Sequence, residues 1–141
     1  MRLLHTMLRV NNLEESLKFY CNVLGMKLLR QKDYPGGKFT LAFVGYGSES
    51  DNTVLELTYN WDQEEPYTVG RNFGHLAYSV ENIYQLCEEL QNKGVTILRP
   101  PRDGKMAFIR SPDQISVEFL QEGDPLPPQE PWLSMPSQGE W

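Results

Sequence analysis

A chain of 141 residues is long enough for one sizeable hydrophobic core and too short for two ordinary domains. Hydrophobic residues make up 40% and charged residues 23%, a globular balance, while a net charge of -6 leaves no basic stripe to neutralise a phosphate backbone and repels an anionic membrane surface. Nucleic acid and membrane are therefore not expected as partners.

Only Arg2 precedes the first apolar residues, and His5 and Arg9 interrupt that stretch, so it fails both as a signal peptide and as a membrane span. Leu3 to Val10 alternates with the period of a strand. Asn11 or Asn12 then caps a helix of about three turns, with Glu14 in capping-box position after Asn11, Leu13, Leu17, Tyr20 and Leu24 on one face, and Gly25 at its end. Strands are expected over Met26–Gln31, Phe39–Tyr46 and Thr53–Tyr59, separated by the turn signal Tyr34-Pro35-Gly36-Gly37 and a polar loop from Gly45 to Asn52. Asn60 to Asn72, with Pro66 and Gly70, reads as a linker. The second half repeats the order: a strand His75–Val80, a helix Ile83–Asn92 with Ile83, Leu86, Cys87 and Leu90 inward, Gly94 as its stop, then strands near Val95–Leu98, Lys105–Arg110 and Ser116–Gln121.

Each half is thus a strand, a helix and three strands. The expected fold class is α+β, with one domain over residues 1–122 made of a module at 1–60, a linker at 61–72 and a second module at 73–122. The last nineteen residues, 123–141, hold five of the ten prolines together with Trp132 and Trp141. That composition suits neither helix nor sheet and points to an extended tail laid on its own or a partner's surface. Cys21 and Cys87 fall inside the helices at non-equivalent places and lack CxxC spacing, which suggests free thiols in a reducing compartment, the cytoplasm.

The two halves read as copies. HTMLRVNNLEESLKFYCNVLGMKLLR from His5 aligns with HLAYSVENIYQLCEELQNKGVTILRP from His75, with one register slip at Gly25 against Gly94. Downstream, Leu41-Ala42-Phe43-Val44 matches Met106-Ala107-Phe108-Ile109, and Glu56 matches Glu118. The intervening loop is shorter in the second copy, since Ala42 to Glu56 spans 14 residues and Ala107 to Glu118 spans 11.

His5 and His75 are the only histidines, and each copy ends in a strand carrying a glutamate in an apolar run. Two neutral imidazoles and two carboxylates suit a divalent zinc, nickel, cobalt or iron ion and leave the site neutral. Taken singly, a strand histidine is more often a satisfied structural residue, and a glutamate in an apolar strand can answer an arginine instead. The matched repeat positions of His5, Glu56, His75 and Glu118 favour a shared ion.

The strings HTMLRV, FYCNVLGMKLL, LAFVGYG, LELTYNW and GHLAYSV together resemble glyoxalase I, the lactoylglutathione lyase family of the vicinal oxygen chelate superfamily, from Met1 to Glu122. The resemblance implies tandem βαβββ modules with curved sheets, paired across a homodimer so that His5 and Glu56 of one subunit meet His75 and Glu118 of the other at sites in the interface. It implies isomerisation of the hemithioacetal of methylglyoxal and glutathione to S-lactoylglutathione, a methylglyoxal detoxification, through a metal-stabilised enediolate. Glu118 is then the leading base, and Glu56 is the symmetry-related carboxylate. Short loops like these imply activation by nickel, with cobalt and zinc as the other ions. Glutathione is implied to contact Arg9 and Asn60 of one subunit and Arg71 of the other, with Thr58 lining the site and Arg99 near the glycyl carboxylate.

Two places depart from the family pattern. The Gly104-Lys105-Met106 loop before Ala107 lacks residues that many relatives insert, and the usual Asp-Gly before the last strand is Asp113-Gln114. Within the same fold, a ring-cleaving dioxygenase or an epimerase is the alternative enzyme, although a dioxygenase needs only one of the two carboxylates. From another class, a metal-free protein that sequesters a small molecule uses the same paired repeat, without need of four ligand-type residues.

Overall fold

Strand hydrogen bonding forms two small mixed sheets, one in each half of the chain. A computed structural model describes residues 1–141 as β1 (His5–Arg9), α1 (Leu13–Leu17) running on into a π-helical segment (Lys18–Val23), β2 (Lys27–Tyr34), β3 (Phe39–Gly45), β4 (Val54–Asn60), β5 (His75–Val80), α2 (Ile83–Asn92), β6 (Met106–Arg110) and β7 (Ser116–Gln121). The first sheet has the order β1-β4-β3-β2 and the second β5-β7-β6. In both, the first strand lies parallel to the last, and the remaining pairs are antiparallel. The chain divides into two compact units, Met1–Thr68 and Val69–Trp141.

The helices explain the register slip in the repeat. Asn12 and Asn82 are the caps: the Asn12 side chain accepts from Glu15 N–H, and that of Asn82 from Tyr84 and Gln85 N–H, each at 3.1 Å. Such a cap is worth about 1 kcal/mol. In the second copy α2 closes as a regular Schellman motif, with Gly94 N–H on Gln91 C=O and Val95 N–H on Leu90 C=O. In the first copy the bonds widen, Leu24 N–H reaching back five residues to Phe19 C=O and Met26 N–H six to Tyr20 C=O. One extra residue is taken up as a π turn inside the helix. Gly25 and Gly94 end both helices in the same left-handed conformation, with φ of 76° and 80°.

Unit one buries Leu8, Val10, Phe19, Tyr20, Leu24, Ala42, Val44, Leu55 and Leu57. In unit two, α2 packs on β6 and β7 through Ile83, Cys87 and Leu90 over Ala107, Ile109, Val117 and Phe119, all buried. Burial pushes the Cys87 thiol up to about 12, so it stays protonated and inert. Gln121, also buried, tightens the start of α2 by accepting from Ile83 N–H (2.9 Å) and donating to Glu81 C=O (2.8 Å).

The strand expected near Val95–Leu98 is replaced by a single bridge between Arg99 and Phe108. Pro100 and Pro101 follow and have no N–H to extend a ladder, while the tail claims the Leu98 carbonyl through Gln138 N–H at 2.8 Å. Similar bonds lay the tail along its own unit. Leu126 N–H donates to Gly104 C=O (3.1 Å), Tyr84 Oη to Pro127 C=O (3.1 Å), Arg102 to Met135 C=O (2.9 Å), and Arg110 Nε to Glu140 C=O (3.0 Å). Trp132 is 4% exposed, whereas Trp141 stays 45% exposed. No helix is long and apolar enough to cross a membrane.

Candidate metal centre

Alternation along β1 and β4 sets His5, Met7 and Arg9 on the same face as Glu56, Thr58 and Asn60, while Leu8, Leu55 and Leu57 turn into the core. On that face His5 Nε2 lies 2.9 Å from Glu56 Oε2. In the second unit His75 Nε2 lies 3.0 Å from Glu118 Oε2. The carboxylates are sheltered, with side chains 15% and 12% exposed, and the imidazoles are more open, at 38% and 43%.

The likeness of the two pairs extends to their surroundings. Phe43 is the cross-strand neighbour of Glu56, and Phe108 that of Glu118. His5 meets Phe43 edge to face, at 5.7 Å between centroids and 83° between planes, and His75 meets Phe108 at 5.6 Å and 86°. The first pair also has a cation beside it. Arg30, held by Glu49 through a two-point fork of 2.7 and 3.0 Å, lays its guanidinium 3.4 Å from the Phe43 ring centre. The matched quartet around Phe43 and Phe108 was visible in the repeat, but its role beside the histidines was not anticipated.

The donor chemistry fits a divalent ion. Two ligands each about 2.1 Å from one ion and at right angles stand about 3 Å apart, which is the separation held by each His–Glu pair. Among histidine, cysteine, aspartate and glutamate side chains, no group of three or more comes together within the chain. Each sheet holds one His–Glu pair.

The other expected residues divide by what they already touch. Thr58 Oγ1 stands 3.5 Å from Glu56 Oε1. Asn60 Nδ2 donates to Tyr67 Oη at 3.0 Å. Arg9, opposite Thr58 in register, and Arg71, just before β5, are both exposed and form no ion pair. Arg99 is committed locally: its guanidinium pairs with Asp103 at 2.9 Å and donates to Met106 C=O. Burial would raise the Asp103 carboxyl, but the Arg99 hydrogen bond, the Lys105 and Met106 N–H groups and the Arg99 charge outweigh it and lower it to about 2.

Residues 2–119 match the family described as the Glyoxalase/Bleomycin resistance protein/Dioxygenase superfamily. A lactoylglutathione lyase of Neisseria meningitidis serogroup A is 57% identical over 86% of this chain and 91% of its own. That of Salmonella typhimurium is 47% identical over 88% and 95%. Among solved structures, the trypanothione-dependent glyoxalase I of Leishmania major superposes with a TM-score of 0.82 at 44% identity, covering 86% of this chain and 87% of that one. With this fold, this paired constellation and this degree of identity, the chain belongs to the glyoxalase I family, the lactoylglutathione lyases of the vicinal oxygen chelate superfamily.

Proposed function

We propose that this lyase converts the hemithioacetal of methylglyoxal and glutathione to S-lactoylglutathione in the cytoplasm, using one divalent ion, nickel first and cobalt or zinc next. The observation that carries the reading is the duplicated His–Glu pair with its aromatic neighbour, since a single structural hydrogen bond gives no reason for two copies. His5 and Glu56 would hold the ion together with the partner's His75 and Glu118, in a homodimer of the single-domain chain.

When bound, the ion supplies electrostatic stabilisation of negative charge developing on the substrate oxygens. Glu118 takes the proton from the carbon beside sulfur and returns it to the neighbouring carbon, and Glu56 balances it from the other module. The shelter of both carboxylates limits competing water, and Phe43 and Phe108 hold the imidazole planes. Arg9 and Asn60 of one subunit and the partner's Arg71 would contact the thiol, with Thr58 lining the site. The two arginines are unpaired in the chain and match carboxylates by bidentate geometry. Arg99 can join them only by sharing its bond to Asp103.

The test strips the purified protein with chelator, restores single metals, and follows thioester formation from methylglyoxal and glutathione. Activity is expected to vanish and to return with nickel or cobalt above zinc. Failure with every ion would leave a metal-free binding module as the better reading.

A further inference from the structure

The stretch after β4 is anchored. Asn11 closes a two-point clamp on it, Nδ2 donating to Glu65 C=O at 2.9 Å and Oδ1 accepting from Tyr67 N–H at 3.0 Å. Gln63 Nε2 donates to the same Glu65 carbonyl at 2.7 Å, and Trp61 Nε1 to Thr40 Oγ1 at 2.9 Å. Held this way, Tyr67 brings its phenol oxygen to Asn60 on the face of the first sheet that carries Glu56, Thr58 and Arg9.

The direction of that bond leaves two groups unspent. Tyr67 Oη accepts from Asn60 Nδ2, so its own proton remains for donation, and Asn60 Oδ1 remains as an acceptor. Neither has a partner in the chain, and the guanidinium of Arg9, carried on the same sheet face, is likewise unpaired. A guanidinium and a phenol O–H are donors for a carboxylate, and an amide oxygen is an acceptor for an ammonium group. One small chemical unit presents both together: a free α-amino-carboxylate.

We infer that Tyr67 is a further substrate-binding residue, whose phenol donates its proton to the carboxylate of the α-amino-carboxylate end that Arg9 and Asn60 receive. This assignment rests on the glutathione reading above. A site built to hydrogen-bond a group rejects the analogue without it, because its own polar groups are then left unmatched. Asn11 acts through Tyr67 as a positioning residue.

Calorimetric titration of the metal-loaded dimer with S-hexylglutathione and with S-hexyl-cysteinylglycine, which lacks the γ-glutamyl end, tests it. Tyr67→Phe should weaken the first about tenfold and leave the second within about twofold, as loss of one charge-assisted hydrogen bond requires. In turnover KM should rise with kcat held, and the melting temperature should fall by no more than about 3 °C, the cost of the lost Asn60–Tyr67 bond. Tyr67→Phe binding both conjugates like the unaltered protein, or losing both equally, would overturn the assignment while sparing the glutathione reading. If the unaltered protein binds neither conjugate, the glutathione reading falls and this assignment with it.

Discussion

Gly104→Ala, set against Gly94→Ala, measures how firmly the tail belongs to the folded unit. Both glycines lie in the left-handed region, with φ of 65° and 80°, so alanine at either position costs about 1 kcal/mol in conformation. Their surroundings differ. A Cβ on Gly94 meets nothing within 4 Å, whereas one on Gly104 would stand 2.0 Å from Leu126 O, 2.9 Å from its carbonyl carbon and 3.0 Å from its nitrogen. Backbone of the tail must therefore retreat by roughly 1.5 Å to reach ordinary contact, which surrenders the Leu126–Gly104 hydrogen bond, worth about 1 kcal/mol. It also loosens the seat of Trp132, for about 1 kcal/mol more of apolar burial. The expected losses are thus about 3 kcal/mol for Gly104→Ala and about 1 for Gly94→Ala, or falls in melting temperature of about 9 °C and 3 °C at this chain length. Thermal unfolding by circular dichroism reads both, and hydrogen exchange over residues 126–138 should quicken only in the first variant. Equal falls in the two variants would mean that the tail contributes nothing at Gly104.

Glu118→Gln should lower kcat by about a thousandfold, as removal of a general base does, with metal content by elemental analysis retained; near-normal turnover would make Glu118 a bystander. Gln114 adopts a φ of 64° in the Ser111-Pro112-Asp113-Gln114 turn, so Gln114→Gly should raise stability by about 0.5 kcal/mol in urea unfolding, and a loss would refute the strain. Because the folded Asp103 carboxyl is depressed to about 2, against about 3.9 when unfolded, its contribution is whole above pH 4 and is lost as pH falls toward 2. Asp103→Asn should therefore flatten the fall in melting temperature across that window, by a small amount because the side chain is 43% exposed; parallel profiles would show the carboxylate to be disengaged.

Much of the architecture was legible because the repeat offers two readings of each element. His75–Val80 and Ile83–Asn92 stand where the periodicity puts them, and the strands of the first half shift by up to three residues at their ends. The slip at Gly25 was visible as a mismatch, but whether a spare residue bulges a strand, lengthens a loop or opens a helix depends on hydrogen bonds that letters do not carry. Val95–Leu98 has apolar residues suited to a strand, yet two following prolines and a competing tail segment leave it with one bridge. The pairing of each histidine with its glutamate followed from equivalent positions. The office of Tyr67 did not, because it depends on Asn11, 56 residues earlier, closing a clamp that no local pattern encodes.

The π turn has a use beyond explaining an alignment. Both ends of its helix are pinned, at the Asn12 cap and at Gly25, so a surplus residue between them changes pitch without disturbing the β3–β4 ladder that brings Phe43 beside Glu56. It works like an expansion joint: one copy of the module tolerates a length its twin does not share, and the ligand geometry of the two stays matched. An engineer wishing to shorten this chain would cut there first.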